Sequence, residues 1–204
     1  MADSVSSVSS SSTNLVLSST LPVDTIDIAT LSSEEIKAIS TSEFSTLTTA
    51  QLALIQPESI PGLTSAQIAA MPTGSLATLS NDQVSQLTSS QLTSLKTSLL
   101  QELKPTQLQA MKSSQISGLQ QTQISSFTTL QISSLTQDQV AALTNPQVIS
   151  LTSIQIAALT TAQYQAMTTA QLSSLTTSQL ANIQVDDMTA LAENETQVQS
   201  LSTS

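Results

Sequence analysis

Nucleophilic side chains are plentiful in this chain, but nothing stands beside them to activate one. Ser and Thr recur throughout, while His and Cys do not occur at all. A hydroxyl nucleophile needs an adjacent base. The missing imidazole and thiol remove that base together with disulfides, thiol chemistry and the commonest zinc ligands. Arg is also absent, and Lys occurs only at Lys37, Lys96, Lys104 and Lys112. Asp186–Asp187, with Glu193 and Glu195, could hold a cation weakly. They lack the alternating ligand spacing of a calcium loop, so they read as a solvated acidic end. No catalytic, cofactor or metal constellation is expected, and the chain reads as a non-enzyme.

The remaining chemistry belongs to surfaces. Lys96, Lys104 and Lys112 recur every eight residues where Thr is the usual residue. If their carriers stack, they form a short basic ridge, a docking edge for an acidic surface such as the acidic end of another copy. A ladder of Thr and Gln offers hydroxyls and amides to glycans, ice or a partner, although helix capping accounts for the same residues. The net charge is −10 with 9% charged residues. An acidic chain without Arg is a poor match to nucleic acid, which demands clustered positive charge. Uninterrupted apolar runs last only a few residues, far below the roughly 18–20 that span a bilayer, so no membrane insertion is expected. Residues 1–22 are Ser-rich without a basic start or an apolar stretch of signal-peptide type, and they read as a flexible tail.

The elements that must carry these residues follow from an eight-residue unit repeated twenty-one times, without insertion or deletion, over residues 23–190. LTSAQIAA at residues 63–70, LTSIQIAA at 151–158 and LTTAQYQA at 159–166 are examples. A short fixed period over most of a chain marks a solenoid or array. Positions 1 and 6 of the octad are apolar in every copy, position 2 is usually Thr or Ser, and position 5 is Gln in fourteen copies. Asp27, Glu35, Glu43 and Asp187 take position 5 elsewhere.

That grammar is a helix start. Ser/Thr followed three residues later by Gln or Glu is a capping box, and flanking apolar residues at positions 1 and 6 form a hydrophobic staple. Pro57 and Pro105 fall at position 3, the first helical site, and Pro146 at the second; the first turn tolerates both. One continuous helix is excluded by drift: eight residues at about 100° each turn through about 800°, so the apolar stripe would wind by about 80° per octad. A β-solenoid is the alternative. Positions 1 and 6 have opposite parity on a strand, however, and Gly and Asn, the usual turn residues, are scarce. The expected fold is therefore all-α: one very short helix per octad, coiled into a superhelical rod. Small residues at positions 7 and 8 would let its turns approach closely. Phe44, Phe127, Tyr164 and the internal Met residues occupy anchor positions and read as core.

Units of the form Leu-Thr-x-x-Gln-Ile/Val/Leu-x-x, such as LTTSQLAN at residues 175–182, resemble tandem repeats of large bacterial secreted, surface and adhesin-like proteins. The resemblance covers residues 23–190. It implies a bacterial structural or adhesive element, and these residues are expected to include no enzymatic, calcium-binding or anchoring domain beside it. The expected organisation is a tail at residues 1–22, the octad array at 23–190 and an acidic cap and tail at 191–204. The expected role is a structural protein that self-assembles into a filament or sheath, with a monomeric binding rod as the alternative.

Overall fold

The computed structural model describes residues 27–192; the tail at 1–22 and most of the segment 191–204 lie outside the described residues. Within them the chain is all-helical with no strand, which excludes the β-solenoid. After a 3-10 turn at Ile28–Thr30 come α1 (Ser33–Ala38), α2 (Thr41–Phe44) and α3 (Thr49–Ala53), then a second 3-10 turn at Pro57–Gly62. There follow α4 (Ser65–Ala69), α5 (Ser75–Thr78), α6 (Asn81–Ser85), α7 (Ser89–Ser94), α8 (Thr97–Leu100) and α9 (Pro105–Ala110). Next are α10 (Ser113–Ser117), α11 (Gln121–Ser125), α12 (Thr129–Ser134), α13 (Gln137–Ala141) and α14 (Asn145–Ser150). The array ends with α15 (Ser153–Ala157), α16 (Thr161–Ala166), α17 (Thr169–Ser173), α18 (Thr177–Leu180) and α19 (Val185–Ala192).

Most of these helices start as the octad predicts. At α12, Thr128 is the N-cap: its hydroxyl accepts from the Gln131 N–H, and the Gln131 Oε1 accepts from the Thr128 N–H. Two orphan donors of the first turn are thereby satisfied. Some helices run up to an extended position 1, as at Leu95 (ψ 135°), others end one or two residues sooner, as at Ala158, and the next N-cap is extended, as at Lys96 (ψ 145°). Two extended residues between short helices are what bend the chain at every octad. Pro105 sits at the first helical residue of α9 and Pro146 at the second of α14, as expected.

Short helices cannot stand alone, since nucleation is unfavourable and one or two turns return few hydrogen bonds. Stability comes from packing between turns. Helices pack three octads apart: α6 against α9, α9 against α12, α11 against α14 and α13 against α16. Hydrogen bonds between turns join residues 25 to 31 apart, so one superhelical turn uses between three and four octads. Position 6 lines the axis of the core, with Ile36, Leu52, Ile68, Leu92, Ile116 and Ile132 at 0% exposure. Position 1 closes its edge, with Leu63, Leu95 and Leu135 at 3–4%. The aromatic residues Phe44, Phe127 and Tyr164 are buried in the same core.

Close approach of turns is visible at Gly62, a position 8 residue. A Cβ placed there would lie 2.3 Å from the Ser33 carbonyl oxygen of α1. The position 6 column ends before the last octad, while the position 1 column runs on to Leu191. Met188, an expected anchor, is 39% exposed, while α19 runs past the octad boundary and buries Leu191 instead.

Candidate functional site

The most constructed polar feature of the fold is a column of buried glutamines. Among the described residues, thirteen position 5 glutamines, from Gln67 to Gln179, each donate through Nε2 to two carbonyls of the preceding turn. One acceptor is the position 1 carbonyl 28 residues back; the other is the position 6 carbonyl 31 residues back. Gln131 thus bonds the Leu103 and Leu100 carbonyls, both at 2.9 Å, while its Oε1 holds the Thr128 N–H at 3.0 Å. It is 3% exposed. One amide therefore starts its own helix and ties down the end of another: the Leu100 carbonyl already accepts from the Leu103 N–H at 3.2 Å and takes Gln131 as its second donor, so that both lone pairs are used.

Octads lacking Gln at this position improvise. Ser59, in the 3-10 turn, reaches only the position 1 acceptor, the Leu31 carbonyl, at 2.7 Å. Ser75 is fully buried and bonds back to its own octad at the Pro72 carbonyl. Its octad turns through Gly74, whose φ of +89° favours glycine. One superhelical turn later, position 5 is the buried Leu99, and Glu102 Oε1 accepts from the Gly74 N–H at 2.8 Å. Glu102 Oε2 is the one buried side-chain polar atom among the described residues without a hydrogen-bond partner. Near the other end, Asp187 stands at position 5 and the Tyr164 hydroxyl donates to the Ile156 carbonyl, the acceptor a glutamine would have met. Burial, and then the charge of Asp187, push the Tyr164 hydroxyl well above its ordinary pKa.

The lysines do not form a ridge along one edge. Lys96, Lys104 and Lys112 precede α8, α9 and α10, and all three are exposed. Helix α8 packs on α5 and α11, α9 on α6 and α12, and α10 on α7 and α13. Consecutive octads belong to different stacks, so the three lysines are spread around one superhelical turn. None supplies a capping hydroxyl. At Lys104 and Lys112 only the glutamine half of the box remains, with Gln107 and Gln115 accepting from the lysine N–H.

The acidic end also differs from expectation. Asp186 is exposed, but Asp187 is 6% exposed and accepts from the Thr161 hydroxyl at 2.6 Å. It is a contact between turns rather than a solvated charge. Glu193 and Glu195 lie outside the described residues. Among the described residues no cluster of acidic side chains is suited to a metal ion, and no helix is long and apolar enough to cross a membrane.

Two surface features remain. A shallow groove of about 280 Å³, bordered by Glu34, Lys37 and Gly62, lies between α1 and the second 3-10 turn. Leu130 and Ile154, at 63% and 71% exposure, both occupy position 4, on the packed helices α12 and α15.

Sequence reasoning missed the second role of the glutamines. The signal was there, because a capping box accepts Glu as readily as Gln, yet most interior octads use Gln and none uses Glu. Compared with known proteins, the chain matches no family model, no curated protein and no solved structure.

Proposed function

We propose that the chain is a non-enzymatic structural repeat protein that assembles with copies of itself into an extracellular filament or sheath on a bacterium. The supporting observation is the glutamine column. The internal turns present amide donors on one face and carbonyl acceptors on the other, and the same two faces join each turn to the next. A solenoid built from self-complementary faces can extend from one chain to another by the contact it already uses internally. The repeat resemblance supports the bacterial, secreted setting. Negative-stain microscopy of the purified full chain across pH and salt tests the proposal: linear polymers are expected under at least one of these conditions, and isolated short rods under all of them would overturn it.

A monomeric binding rod, an adhesin or secreted effector, is the second reading. It draws on Leu130 and Ile154, large apolar residues exposed one superhelical turn apart where other octads are mostly small or polar. Size-exclusion chromatography that keeps a monomer at every pH and salt concentration favours this reading.

A further inference from the structure

At the N-terminal end of the solenoid, the octads present carboxylates where the interior presents amides. Position 5 is Asp27, Glu35 and Glu43 in the first three described octads, and Gln first appears there at Gln51. Three octads are close to one superhelical turn, so the substitution covers nearly the whole first turn and then stops.

Glutamate keeps half of glutamine's task. Glu35 Oε2 accepts from the Ser32 N–H at 2.9 Å and from the Ser32 hydroxyl at 2.7 Å. Glu43 Oε2 accepts from the Ser40 N–H at 3.1 Å and the Ser40 hydroxyl at 2.6 Å. The other half is donation to the carbonyls of a preceding turn. An ionised carboxylate has no proton to donate and repels a carbonyl oxygen; a protonated one carries a single O–H donor.

We propose that this N-terminal face docks the carbonyl-bearing face of a second copy of the chain only when Glu35 and Glu43 are protonated, so that end-to-end stacking is closed at neutral pH and opened by acid. The proposal rests on the self-assembly reading and adds its control.

The occupant follows from the repeat, whose internal junctions already join these two kinds of face. Acidic residues eight apart match acceptors eight apart, and the far end of this solenoid carries them, with Leu175 and Ile183 at the position 1 acceptor place. The internal junctions provide the template: at each of the thirteen, a position 5 amide meets such acceptors at 2.6–3.0 Å.

The charged neighbours of Glu35 are Glu34 and Lys37 on its own helix and Glu58 on the 3-10 turn packed against it. Helix α4, which packs on the helix of Glu43, brings no titratable group. Hydrogen bonds from Ser32 and Ser40 hold both carboxyls below the ordinary carboxylate range, so opening requires distinctly acid conditions. These depressed values contribute stability to the single chain above the unfolded pKa, and that stability is lost as pH falls. Acid therefore weakens the cap while it enables the junction.

Acid alone does not isolate the two sites, because the sequence pI is near 4.1 and the net charge of the whole chain collapses there. Glutamine variants at pH 7 do. Sedimentation velocity is measured on the full-length wild type, on E35Q/E43Q, and on E34Q/E58Q. The last variant makes the same change in charge at acids outside position 5. Circular dichroism checks that each is folded. The expected result is a monomeric wild type and E34Q/E58Q at pH 7, with E35Q/E43Q assembling at a concentration at least about tenfold lower, the effect of roughly one hydrogen bond. Three outcomes overturn the gate. If E35Q/E43Q sediments as the wild type does while the wild type already polymerises at pH 7, self-assembly survives and the gate does not. If E34Q/E58Q assembles as readily as E35Q/E43Q, bulk charge is the cause. If every protein stays monomeric at every pH, self-assembly falls as well.

Discussion

Replacing Gln131 by Glu tests whether the glutamine column holds the turns together or merely caps helices. Gln131→Glu conserves shape and preserves the capping bond, since Oε1 still accepts from the Thr128 N–H. It replaces the two donor contacts to the Leu100 and Leu103 carbonyls, each 2.9 Å, by a negative oxygen facing two carbonyl oxygens. Two hydrogen bonds worth about 1 kcal/mol each are lost. An uncompensated charge is left in a site only 3% exposed, and the total penalty at pH 8 is about 3–5 kcal/mol, the usual result of stranding a buried charge. At about 1.36 kcal/mol per pKa unit, this places the folded-state pKa of the new Glu about 2–4 units above its ordinary ~4.3.

A folded pKa above the unfolded one means that the folded state binds the extra proton. The penalty is then complete above the raised pKa and shrinks as pH falls through it, to about 1 kcal/mol by pH 5. The assay is a urea midpoint for the wild type and Q131E at pH 5 and pH 8. If glutamine acts only as a capping-box residue, Q131E matches the wild type at both pH values, because Glu caps equally well; that result would refute the column. A large deficit that does not change with pH would show that the loss is not that of a buried charge.

Other substitutions probe neighbouring claims. Gly62→Ala drives a Cβ to within 2.3 Å of the Ser33 carbonyl oxygen, and thermal melting is expected to show a loss of about 1–3 kcal/mol from overpacking; an unchanged melt would show that the turns can separate there freely. Lys104→Thr and Lys112→Thr restore the missing capping hydroxyl and should each stabilise by about 1 kcal/mol in urea titration. If these lysines were instead structural contacts, both variants would lose stability. Tyr164→Phe removes one of two donors to the Ile156 carbonyl, the Leu159 N–H being the other, and should cost about 1 kcal/mol, the loss of one buried hydrogen bond; equal stability would show that the hydroxyl contributes nothing at that acceptor.

The local content of this fold was legible in the sequence. Phe127, Thr128, Gln131 and Ile132 spell a capped, stapled helix start whatever surrounds them, because capping is settled within a few neighbouring residues. Repetition without insertion told that such starts recur, and the parity of positions 1 and 6 argued against strands but left the β-solenoid as an alternative, which the all-helical structure removed. The two apolar columns were read correctly from Ile28 through Ile183, and the deviation at Met188 came where the repeat ends and no further octad demands the register.

What the sequence could not give is the number of octads per turn. That number comes from summing many small bends at extended residue pairs such as Leu95–Lys96, and no single octad encodes the sum. The count decides which residues meet. With between three and four octads per turn, Lys96, Lys104 and Lys112 are carried to three separate stacks, although equal spacing made them look like a ridge. It also places Gln131 over the Leu100 and Leu103 carbonyls, 31 and 28 residues away, and so turns a capping residue into the bond between turns. Asp187 is buried for the same reason: its partner, Thr161, lies one turn earlier and 26 residues away. Short-range hydrogen bonds fix the helices; only closure of the superhelix determines which carbonyl each amide finds.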